Sequence, residues 1–160
     1  AANDPWVVFQ YEAKMFFDMC GLLQEGNADF AKLPRQLQNA VVESALLHTR
    51  QLIDILLSRG GDPDDINLSG LLPGFVPSRL DELRTVYGNR SRDNSPCWTL
   101  NKQLAHPTTH RGASFDYTPL VNQLAPVITN IIQEVQMRRT GADGGKKGTG
   151  GVFGTQKLGK

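Results

Sequence analysis

From Leu37 to Leu56 the chain carries one unbroken helical signature. Leu37, Val41, Val42, Ala45, Leu46, Thr49, Leu52, Ile53 and Leu56 recur in steps of three and four. That spacing keeps one face apolar for about five turns. A strand would need alternation, which this stretch does not have. Glu43, Leu47, Arg50 and Asp54 fall together on the opposite side, with Arg50 and Asp54 spaced as an i,i+4 pair. Asp29 can cap this helix, or Pro34 can occupy its first turn, and Gly60-Gly61 is expected to end it. A helix with one broad apolar face must bury it, so the rest of the chain has to supply partners.

Partners are visible on both sides. Trp6, Val7, Phe9, Met15, Phe16, Met19, Cys20 and Leu23 define a first helix, closed by the turn at Gly26-Asn27. Beyond the second helix, GGDPDDINLSGLLPGFVPS (60–78) reads as a long ordered loop anchored by Ile66, Leu68, Leu71, Leu72, Phe75 and Val76. Ser78, with Asp81 and Glu82, predicts the capped start of a short helix over 79–87. Another helix is expected to begin after Ser95 with Pro96 at its first position, carrying Trp98, Leu100, Leu104 and Ala105 inward, and to stop at Pro107. The last long helix is predicted from Asp116 to about Arg139, with a stripe of Leu120, Leu124, Val127, Ile128, Ile131, Ile132 and Val135. Pro126 lies within that stripe and predicts a kink or a lost hydrogen bond.

These segments predict an all-α fold: a bundle of four main helices over residues 1–140, with a long loop and short helix between the second and third. Residues 141–160 read as a flexible Gly/Lys-rich tail with Val152 and Phe153 as its apolar anchors. From Thr140 onward four lysines face one acid, Asp143, so the formal charge of +1 for the whole chain conceals a mildly acidic folded part. Such a charge gives no general grip on a long nucleic acid. Cys20 and Cys97 stand alone in apolar surroundings, and AANDPW has neither the basic start nor the apolar segment of a secretory leader. The expectation is therefore a cytoplasmic protein with free thiols, no membrane span and no cofactor.

Chemistry concentrates in LNKQLAHPTTHR (100–111). On a helix, Lys102 and His106 share a face. His106 at the carboxyl end is placed where the helix dipole favours the imidazolium, and Asn101 stands just over one turn back. The pair suits a general acid or base beside a hydrogen-bonding amide, and equally a polar helix end. His106 and His110 have the spacing of two metal ligands, but Pro107 breaks the helix between them, so no metal is expected even with His48 or Asp116 added. His48, at the edge of the second helix's apolar face, reads as a satisfied half-buried residue. Glu43 and Arg50 can line a cleft or pack a partner helix. Trp98 reads as core, and Cys97 has no base nearby in sequence. GADGGKKGTGG lacks the phosphate-loop spacing.

ESALLHTRQLIDIL (43–56), then DPDDINLSGLL, then LNKQLAH, resembles small bacterial helical proteins of the HEPN-like group over roughly Phe9 to Val135. The resemblance implies a helical bundle that pairs as a homodimer and acts through protein or nucleotide binding. Active members are metal-independent ribonucleases whose signature is an arginine a few residues ahead of a histidine, two copies meeting in one cleft. The matching histidine is His106. Asn101, Leu100 and Thr99 occupy the permitted arginine positions, so the signature's cation is missing. Asn101 can hydrogen-bond a phosphate oxygen without neutralising it, which leaves Lys102 or Arg50 to supply charge. The expected roles are thus a non-catalytic or weakly catalytic binding protein, a ribonuclease using His106, Asn101, Lys102 and Arg50, or a structural module that docks through its tail.

Overall fold

A computed structural model describes residues 2–92, 94–105 and 116–142. Among them helices are the regular structure, joined by loops, with no strand. The elements are α1 (Pro5–Leu22), α2 (Ala28–Ala31), α3 (Arg35–Leu56), α4 (Leu68–Leu71), α5 (Leu80–Tyr87), α6 (Pro96–Leu100), a π-helical turn (Asn101–Ala105) and α7 (Thr118–Ala142). α7 takes in Gly141 and Ala142, the first two residues of the predicted tail, and the rest of that tail, His106 and His110 lie outside the described residues.

α1 packs most extensively on α3, and α7 closes the core over α1, α3 and α5. Asp4 caps α1 by accepting from the Trp6 amide, with Pro5 at the first helical position. The buried positions of α1 are Phe9, Ala13, Phe16 and Cys20, a spacing that meets α3 through Ala45, Leu46, Leu52, Ile53 and Leu56. Cys20 is sealed in this contact, and burial pushes its thiol up to about 12. α7 contributes Leu124, Ile128, Ile131 and Val135, all fully buried. Pro126 is accommodated inside α7. It sits on the exposed side, as does Asn122, so the carbonyl left without a donor faces water.

Several expectations change in detail. Asn27, not Asp29, acts as a cap, and it starts α2, while Pro34 stands just before α3. α3 ends at Leu56, ahead of the paired glycines, because Ser58 takes the left-handed conformation at φ 50° that terminates the helix. Leu37 and Val7 are 52% and 55% exposed: Leu37 lies at the edge of the α3 stripe, and Val7 lies on the face of α1 away from Phe9, Ala13, Phe16 and Cys20. Ser78 does not cap α5. Its amide and hydroxyl instead bond the Glu134 carboxylate of α7, at 2.7 and 2.6 Å, tying the start of α5 to α7. Trp98 is half-buried instead of core, with the Lys102 ammonium 6.0 Å from its ring centre.

The packing separates core from surface among the residues of the predicted apolar stripes. Phe16→Ala should cost about 3–5 kcal/mol in urea unfolding, whereas Leu37→Ala should stay within about 0.5 kcal/mol of the parent. Comparable losses at both positions would contradict this burial pattern.

Candidate functional site

Between α1, α3 and the loops that follow α3 and α5 lies a cavity of about 680 Å³. α1 supplies Val8 and Glu12, and α3 supplies Arg50, Gln51, Asp54 and Ile55. The loop after α3 adds Arg59, Gly60 and Asp64–Ile66. Tyr87, Asn89, Arg90, Cys97 and Asn101 close the other wall. One cavity therefore collects residues that are far apart in the chain, and it mixes arginines and carboxylates with uncharged polar and apolar groups.

Glu12, on the α1 side of the cavity, is paired with His48 of α3. The ring Nδ1 of His48 lies 2.6 Å from Glu12 Oε2, and both side chains are nearly out of solvent. His48 is thus satisfied as expected, by a partner on the neighbouring helix. Tyr11 meets the same imidazole edge-on at 5.7 Å.

The arginine end is built around helix stops. The Arg59 amide donates to the Asp54 carbonyl as α3 closes. Its guanidinium donates to the Gly88 carbonyl at 3.0 Å and to the Cys97 sulfur at 3.5 Å, and it stacks over the Tyr87 ring at 4.9 Å. Gly88 has φ 71°, and a Cβ there would strike the Ser95 and Arg92 side chains, so the turn requires glycine. Gly60 is required for a different reason: a Cβ would sit 2.5 Å from Asp65 Cβ. Asn67 bonds both the amide and carbonyl of Gly60 and holds this loop closed.

Asp54 stands among the cations. Its carboxylate is 3.9 Å from Arg50 Nε, a loose ion pair without hydrogen-bond geometry. Burial raises its carboxyl above the ordinary value, although Arg50, Arg59 and Arg90 each draw it down. Burial likewise raises the Tyr87 hydroxyl, assisted by the charges of Cys97 and Asp54.

Ser95 opens α6 as expected, accepting from the Trp98 amide at 3.1 Å, with Pro96 next. Asn101 follows directly, where α6 passes into the π turn, and its Oδ1 is buried with no hydrogen-bond partner. An unmet buried acceptor and a π turn both concentrate at functional sites.

Of the predicted site residues, Arg50 and Asn101 share this cavity, while Lys102 is outside its lining and lies over Trp98. Glu43 is also outside it, close enough to Tyr117 to help raise that hydroxyl. Glu12, Asp54, Arg59, Tyr87 and Arg90 enter the site unannounced by any motif. Among the described residues no group of His, Cys, Asp or Glu is arranged to hold a metal, and no helix is long and apolar enough to cross a membrane.

Arg59→Ala removes two hydrogen bonds and the Tyr87 stack, and should lower stability by about 2 kcal/mol in urea unfolding. Arg59→Lys should recover less than half, because an ammonium cannot span Gly88, Cys97 and the ring together. Full recovery by lysine would mean that charge alone matters there.

No protein-family model, curated protein or solved structure matches the chain, and the residues of the cavity carry the functional reading.

Proposed function

We propose that this chain is a helical binding module of the HEPN-like kind that takes a phosphate-bearing, nucleotide-like ligand into the cavity beside α3. One observation carries the reading: Arg50, Arg59 and Arg90 line one cavity of about 680 Å³ together with the Asn101 amide. That volume suits a nucleotide-sized ligand. Guanidinium groups offer planar paired donors to phosphate oxygens, and an amide with an unmet acceptor can read a donor on a base. The acids Asp64 and Asp65 in the same lining suit a ligand that carries amino groups as well as an anion. Association of two copies through helix faces is part of the proposal. Val7 and Tyr11, one turn apart on α1, and Leu47 on α3 are large exposed apolar side chains that such a contact would cover.

A second reading, metal-independent cleavage of RNA, is favoured by one specific feature. Arg50 supplies, on the same cavity as Asn101, the cation that the motif lacks in sequence. In that reading His106 is the proton-transfer group and Arg50 stabilises charge on the phosphate.

Two measurements separate these. Titration of labelled oligonucleotides and nucleotides should give saturable binding that Arg90→Ala and Arg50→Ala each weaken about tenfold, or about 1.4 kcal/mol. Arg90 is exposed, so its loss should leave the fold intact. End-labelled RNA incubated in EDTA should remain whole with wild type if the module only binds. Cleavage that disappears in both His106→Ala and Arg50→Ala would establish the ribonuclease. Absence of binding by every nucleotide would overturn the cavity's proposed role.

A further inference from the structure

The cavity already holds an anion. Asp54 places a carboxylate within the combined field of Arg50, Arg59 and Arg90, yet it hydrogen-bonds to none of them and approaches Arg50 only to 3.9 Å. Arg90 makes no ion pair with it. A carboxylate in this position resembles a placeholder: together with Glu12, Asp64 and Asp65 it offsets the charge of the three guanidiniums that line the cavity, without saturating their donors.

We propose that the Arg50–Arg59–Arg90 end of the cavity is a phosphodiester site occupied in the free protein by the chain's own Asp54 carboxylate, so that the ligand binds by taking its place and Asp54 takes up a proton. The proposal rests on the nucleotide-binding reading and specifies both the anion and its regulation.

The physics is a competition. A phosphodiester and an ionised Asp54 cannot both sit beside the same cations without strong like-charge repulsion in a partly buried site. The least costly relief is protonation of the acid, and burial has already moved Asp54 in that direction. The proton ends on the carboxylate as the ligand's oxygen takes over the guanidinium donors. No covalent bond of the ligand changes.

Other titrating groups face the same space and must be separated from Asp54. On the α1 side is Glu12, bonded to His48 of α3. The loop after α3 presents Asp64 and Asp65, α5 presents Tyr87, and α6 presents Cys97. The Tyr87 hydroxyl is raised and stays protonated through the neutral range. Glu12, His48, Asp64 and Asp65 remain in an Asp54→Asn variant, so their contribution is whatever pH dependence survives that change.

The sign of the pH effect follows from a raised acid. Above its folded pKa Asp54 is ionised and opposes the ligand, and below it the opposition vanishes. Affinity should therefore rise as pH falls from about 8 toward about 5, by at most about tenfold per pH unit for one proton.

The test is calorimetric titration of the full chain with the dinucleotide uridylyl-uridine. Its single phosphodiester charge and neutral bases do not change over that range. Wild type should bind more tightly at the acid end, and parallel titrations in two buffers of different ionisation heat should show proton uptake near neutral pH. Asp54→Asn should bind about tenfold more tightly than wild type near pH 7.5, with a shallower pH profile. Uridine, which lacks the phosphodiester, should bind far more weakly than the dinucleotide. Equal pH slopes in wild type and Asp54→Asn, weaker binding by Asp54→Asn, or no proton uptake would overturn the exchange while leaving nucleotide binding standing. Uridine binding as tightly as the dinucleotide would overturn the phosphodiester assignment. No binding of either ligand by either protein at any pH would overturn the nucleotide-binding reading itself. Proton uptake is measured on wild type alone, so the exchange can be refuted even if Asp54→Asn fails to fold.

Discussion

The contact of α1 with α3 is the constraint on which the other features depend. Phe9, Ala13, Phe16 and Cys20 meet Ala45, Leu46, Leu52 and Ile53 in a dry seam that tolerates little sliding, because protein interiors pack at crystal-like density. Glu12 and His48 sit in that seam as a hydrogen-bonded pair 2.6 Å apart. A slip of either helix would leave an acid and an imidazole buried without partners, at a cost of several kcal/mol. Apolar packing thus supplies the attraction, and one polar pair fixes the register. With that register set, Val8 and Glu12 on one helix face Gln51 and Ile55 on the other across the cavity.

The cavity lies where helices stop. α3 ends at Leu56 through the left-handed Ser58, α5 ends at Tyr87 with Gly88 as its cap, and α6 gives way to the π turn at Asn101. Helix ends leave carbonyls without internal partners. Here one such carbonyl, from Gly88, is taken by Arg59, which also covers Tyr87 and touches Cys97. The guanidinium therefore serves as a structural brace and as a cavity wall. Rigid placement of that kind suits a binding group, because little side-chain freedom remains to be lost when a ligand arrives.

Legibility in the sequence followed the range of the interaction. The helical class and the buried stripes of α3 and α7 could be read directly, since a repeat of 3.6 residues is a local property. The start of α6 was equally plain, because Ser95 and Pro96 act within one turn. The exposure of Leu37 was not legible, since it lies at the edge of the buried arc of α3, whereas Val7 shares the outer face of α1 with Tyr11, away from Phe9, Ala13, Phe16 and Cys20. Ser78 carried the pattern of a local cap, and a glutamate 56 residues away claimed it. Arg50 and Asn101 could be named as candidates, but only the packing places them on one cavity. Arg59 and Arg90 gave no signal, as an arginine after a helix and another in a polar linker are ordinary surface residues until the chain brings them together.

Within this one protein, ion pairs take two distinct forms, and the difference bears on what the cavity is for. Arg79 and Glu82, on the surface, form a fork with both contacts at 2.7–2.8 Å. Exposed pairs of this kind contribute little to stability, about 1 kcal/mol at most, so nothing prevents them from closing. Arg50 and Asp54, less exposed and therefore in a position where a tight pair would count for more, remain at 3.9 Å. Helix orientation does not hold it open, since Lys14 and Asp18 close at 2.5 Å with the same order and spacing. The attraction of Arg59 and Arg90 does, since a carboxylate drawn to three cations settles fully onto none. The result is a cavity whose cations are balanced in charge but unsaturated in hydrogen bonds. Stability alone would favour one closed pair; a site that must exchange its anion favours the open arrangement that the helix ends enforce.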